Sequence, residues 1–149
     1  LDYRADADEL GKNLGDDLRY VFRHLTLIDV HPHAEIAAEA AEAAASQGKF
    51  WEMHDALFAN QQKLSVPDLK ATAVTVGVDA AKFDACLDSG KMAEIVARDM
   101  ADGQTAGVSG TPALFVNGRF INGAVPYEEL AKVINDELSR KGIEVPAAK

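Results

Sequence analysis

Cysteine, basic charge and long apolar runs are all scarce in this sequence. Cys86 is the only cysteine among 149 residues. One thiol can form neither an internal disulfide nor a Cys-x-x-Cys pair, so no dithiol chemistry lies within these residues. Lys and Arg number 15 against 24 Asp and Glu, a formal net charge of -9. An acidic surface repels phosphate backbones, which argues against nucleic acid as a partner. It also lacks the basic cluster of a membrane-surface module. No apolar run approaches the roughly 20 residues that cross a bilayer, so direct membrane insertion is not expected of this chain. The first residues, Leu1-Asp2-Tyr3-Arg4-Ala5-Asp6, have no basic start ahead of an apolar stretch, and no signal peptide is expected there. With no initiator Met, the chain is expected to be a processed product or a piece of a longer one. Gly-rich phosphate loops and H-E-x-x-H patterns are absent, and no cofactor or metal is expected.

What is present is a globular pattern. Hydrophobic residues make up 48%, enough for one domain with a real core. Asp6 to Leu14 reads as a short helix stopped at Gly15. Leu18 to His24 alternates and is rich in aromatic and β-branched residues, which predicts a strand with Arg19 and Arg23 on its polar side. His31-Pro32-His33 should open a helix with Pro32 at its first position, continuing through the Ala- and Glu-rich stretch to Ser46 and broken at Gly48. Further helices are expected over Phe50–Phe58, from Ser65 to Gly77, over Asp79–Leu87 and from Lys91 to about Thr105. Pro112–Val116 and Arg119–Ile121 read as strands joined by Asn117-Gly118, a strong hairpin signal because both residues tolerate φ > 0. An amphipathic helix over Pro126–Leu138 closes the pattern, with Leu130, Val133, Ile134 and Leu138 inward. This order predicts a layered α/β sheet with a block of helices inserted.

Four further features read as structural. Cys86 shares a helical face with Phe83, and a buried free cysteine behaves as a small hydrophobe. His24, His31, His33 and His54 lack any ligand spacing and read as loop, cap and packing residues. Phe50, Trp51, Phe58 and Phe83 recur at helical spacing and read as core. Asp16-Asp17 reads as a solvated turn.

Three stretches taken in order resemble the DsbA-like thioredoxin family. They are Tyr20-Val21-Phe22-Arg23-His24-Leu25 with His31-Pro32-His33-Ala34, then Gln47-Gly48-Lys49-Phe50-Trp51-Glu52-Met53-His54-Asp55, then Gly107-Val108-Ser109-Gly110-Thr111-Pro112 followed by Leu114 to Arg119. The resemblance runs from about Leu10 to Leu138. It implies an α/β thioredoxin fold, a single domain over 1–149, with an all-helical insertion over about 32–106. It also implies a cis peptide at Thr111-Pro112 and a substrate-binding turn at Gly110, Thr111 and Pro112. There the backbone of Thr111 would pair with an extended peptide much as an added strand does.

The family's Cys-x-x-Cys and most of the inner N-terminal strand have no counterpart here, and Leu1-Asp2-Tyr3 could be only the stub of that strand. No catalytic residue is therefore assigned, and more residues are expected upstream of Arg4. The resemblance implies a domain of the thiol–disulfide oxidoreductase family acting on protein or peptide thiols and disulfides. The alternative is a non-redox peptide-binding or regulatory thioredoxin-like domain; the stretch Gly15–Leu25 with Val30–Ala34 also resembles soluble domains appended to bacterial sodium/proton antiporters, which implies a membrane part upstream and does not exclude the first reading. The first reading places the chain outside the cytoplasm, the second on the cytoplasmic face of a membrane. Oligomeric state is left open, a homodimer being one arrangement.

Overall fold

The computed structural model describes residues 15–145, which fall into two compact units. One is helical and covers Arg23–Gly107; the other comprises residues 15–22 and 108–145. The expected Asp6–Leu14 helix lies outside the described residues.

Five helices build the helical unit: α1 (Ala34–Ala45), α2 (Phe50–Ala59), α3 (Val66–Thr75), α4 (Ala80–Asp88) and α5 (Ala93–Thr105). Their limits follow local chemistry. Ser65 caps α3, its Oγ accepting from the Asp68 N–H at 3.4 Å while donating to the Asp68 carboxylate at 2.5 Å. Asp79 caps α4 by accepting from the Lys82 N–H at 3.0 Å. α1 stops at Gly48, whose φ of 74° an L side chain rarely adopts. The core gathers Ala40, Ala43 and Ala44 of α1 with Met53, Leu69, Ala73, Phe83, Cys86, Leu87 and Met92. Small side chains on α1 let its neighbours approach closely, and Met53, Leu69, Phe83 and Val96 are fully buried.

The second unit holds β1 (Ala113–Val116), β2 (Arg119–Asn122) and α6 (Tyr127–Arg140). β1 and β2 are antiparallel, with Leu114 opposite Ile121 and Phe115 opposite Phe120. Asn117 and Gly118 form the two-residue turn with φ of 49° and 86°, the positive pair the hairpin signal requires. Leu130, Ile134 and Leu138 of α6 pack with Leu18, Val116, Ile121 and Val125. Alternation along the strands turns Phe115 and Phe120 outward, where the rings stack at 4.9 Å.

Three expectations are corrected. Leu18–His24 is not a strand: a 3-10 turn at Gly15–Asp17 leads into irregular chain. A strand exists only through a ladder, and among the described residues β1 and β2 pair solely with each other. Pro32 sits in a turn before α1 rather than at its first position. That turn is closed by the Ala34 N–H donating to the His31 carbonyl at 2.9 Å. Phe58 is not core but 59% exposed near the end of α2.

Candidate functional site

Gly110, Thr111 and Pro112 lie together where the chain enters β1. The Thr111–Pro112 peptide is cis. Pro112 is anchored on its carbonyl side, which accepts from the Gly123 N–H at 3.0 Å and so ties the turn to the end of β2. Thr111 is exposed, and its backbone N–H and C=O make no hydrogen bond among the described residues. Space is open around Gly110 as well, where an added Cβ would meet nothing within 4 Å. An exposed residue whose backbone donor and acceptor make no bond among the described residues, beside an anchored strand, is what an extended peptide needs for main-chain pairing.

α6 holds the far end of the hairpin by charge. The Asn117 Nδ2 donates to Glu137 at 3.4 Å, and Arg119 donates to both Asp136 and Glu137. These carboxylates raise the Arg119 pKa further, Asp136 first. Arg140, one turn along α6, pairs with the same two acids.

In the helical unit, a buried carboxylate that sequence reasoning missed organises the first residues. Asp99 of α5 is 4% exposed and accepts from the Arg23 guanidinium at 2.5 Å and from the His24 N–H at 3.1 Å. The bond to Asp99 raises the Arg23 pKa. Arg23 thus reaches a buried acid rather than lining the polar side of a strand. Met100 accepts from the Thr26 N–H at 2.9 Å. The available signal was an acid set between Ile95, Val96 and Met100 on the apolar stripe of α5.

The histidines divide as packing and surface groups. His24 Nε2 lies 3.0 Å from Glu42, and His54 Nδ1 lies 2.9 Å from Asp55 with its ring against Phe50, Trp51 and Phe58. His31 and His33 are exposed. Among the described residues no three His, Cys, Asp or Glu side chains come close enough to hold a metal ion. Cys86 is a free thiol, buried among the α4 core residues.

Residues 12–135 match the family described as DSBA-like thioredoxin domain. The chain belongs to this family. Beyond the DSBA-like thioredoxin domain match, the chain is similar to proteins named as antiporters. It is 46% identical over 118 residues to the Na(+)/H(+) antiporter NhaA 1 of Salinispora arenicola, covering 79% of this chain and 18% of that protein. It is 43% identical over 143 residues to the Na(+)/H(+) antiporter NhaA of Herminiimonas arsenicoxydans, covering 94% of this chain and 22% of that protein. The chain therefore spans about a fifth of the length of these relatives. Among the described residues no helix is long and apolar enough to cross a membrane.

Proposed function

We propose that this chain is the thioredoxin-like domain of a bacterial sodium/proton antiporter and that it binds an extended peptide segment at Gly110-Thr111-Pro112. The observation that carries the binding site is Thr111, exposed beside the strand entry with its main-chain donor and acceptor making no hydrogen bond among the described residues. An added segment would satisfy both groups, and the neighbouring open space at Gly110 would admit its backbone. The antiporter assignment is supported by the relatives' names and by the extent of the match along this chain.

The family match favours a second reading, protein disulfide exchange. In that reading a Cys-x-x-Cys pair outside these 149 residues attacks a client disulfide through a mixed disulfide while Thr111 holds the client backbone. Cys86 has no part in it, being single and buried.

Titration of the isotope-labelled chain with short extended peptides tests the binding site. The Thr111 amide resonance should move with saturation. Saturable shifts confined to other residues, or none, would refute the site. Intact mass and N-terminal sequence of the natural protein, followed by an insulin-reduction assay, separate the readings. An upstream Cys-x-x-Cys with reductase activity supports exchange. Upstream membrane-spanning sequence with no such activity supports a binding domain.

A further inference from the structure

Two Asn-Gly dipeptides occur in the hairpin region, Asn117-Gly118 and Asn122-Gly123, and by sequence they are chemically equivalent. Asn followed by Gly is the pair most open to spontaneous deamidation, because no side chain shields the attacking nitrogen. The remaining asparagines, Asn13, Asn60 and Asn135, precede the bulkier Leu14, Gln61 and Asp136. We propose that Asn117 is a modification site, converting to aspartate and isoaspartate in the folded protein, while Asn122 is protected by the fold.

The reaction is balanced by water alone. The Gly118 backbone nitrogen, losing its proton, forms a bond to Cγ of Asn117. The Cγ–Nδ2 bond breaks and ammonia leaves with that proton. Water then opens the resulting succinimide at either carbonyl, giving aspartate or isoaspartate.

The two sites differ in what the attacking nitrogen is doing. Gly123 N–H donates to the Pro112 carbonyl at 3.0 Å, and Asn122 is held in the ladder opposite Ala113. Attack there must break a sheet bond and distort the end of β2. Gly118 N–H sits in the turn and makes no hydrogen bond among the described residues, and both Asn117 and Gly118 are exposed. The Asn117 side chain makes one hydrogen bond among the described residues, its Nδ2 donating to Glu137 at 3.4 Å.

Conversion also has a consequence. A carboxylate at position 117 cannot donate to Glu137 and adds a third negative group beside Asp136 and Glu137, where Arg119 already serves both. The hairpin tip is then held to α6 less firmly.

Peptide mapping by mass spectrometry after incubation at mildly alkaline pH tests the site. In the folded protein the Asn117 peptide should convert well ahead of the Asn122 peptide, and in urea the two should convert at comparable rates. The proposal is overturned if Asn122 keeps pace in the folded state, or if Asn117 converts in urea but stays intact when folded. A variant, Asn117→Asp, should melt below the unmodified chain at neutral pH. An unchanged melting temperature would remove the inferred consequence for the α6 contact.

Discussion

Replacing Asp99 by alanine should be the most informative single perturbation of the helical unit. The carboxylate is 4% exposed and accepts from two donors of unequal standing. One is the N–H of buried His24; removing the acceptor of a buried backbone donor costs about 1–3 kcal/mol. The other is Arg23, 58% exposed, whose guanidinium is solvated whether or not Asp99 is there. Its share is that of a surface pair, about 0–1 kcal/mol. Asp99→Ala should therefore cost about 2–3 kcal/mol, the backbone bond dominating. Asp99→Asn keeps one carbonyl acceptor for His24 and should cost about 1 kcal/mol. Arg23→Ala should cost less than either. In thermal melts of a chain this size each kcal/mol is about 2–4 °C, so Asp99→Ala should melt roughly 5–10 °C lower. The rank order is the test. An Arg23→Ala variant as damaging as Asp99→Ala would refute the assignment of the anchor to the His24 amide.

Three further outcomes follow from burial and charge. Phe83 is fully buried and Phe58 is exposed, so Phe83→Ala should cost about 3–5 kcal/mol in urea unfolding and Phe58→Ala little. Glu39 is 8% exposed, and burial, then Glu35, raises its pKa above the ordinary carboxylate value. The folded state thus keeps that proton to higher pH than the unfolded chain does. Its contribution is favourable in acid and is lost as pH rises from the unfolded value through the raised one. Glu39→Gln should accordingly stabilise the protein at neutral pH and not in acid; a gain of equal size at both would exclude titration as the cause. Cys86 should react with a thiol reagent only on unfolding, and labelling of the native protein at the rate of a free thiol would contradict its burial.

The parts of the structure readable from sequence were those whose causes are local. Ser65 and Asp79 announced the starts of α3 and α4 because a capping oxygen bonds an N–H three residues on. Asn117-Gly118 announced the hairpin because positive φ is a property of those two residues. α6 was legible from Leu130, Ile134 and Leu138, all on one side of it. The candidate turn at Gly110-Thr111-Pro112 was reached by family resemblance, since a lone Thr-Pro carries no such signal.

Where the reading failed, the deciding partner was distant in the chain. Leu18–His24 has the composition of a strand, but β structure is made by a neighbour, and no ladder reaches it among the described residues. Asp99 went unread, because its partners Arg23 and His24 lie more than 70 residues away in the chain. Phe58 continued an aromatic stripe, yet its neighbour Leu57 is the one that packs against the core while Phe58 is exposed. Sequence alone determined the helices, their caps, the hairpin turn and the lack of an internal dithiol, because each depends on residues within a few positions or on composition. Only tertiary structure decided that Leu18–His24 stays out of a ladder among the described residues, which acid is buried, and which Asn-Gly nitrogen makes no hydrogen bond among those residues. Those are settled by hydrogen-bond partners and burial, which arise when distant segments meet.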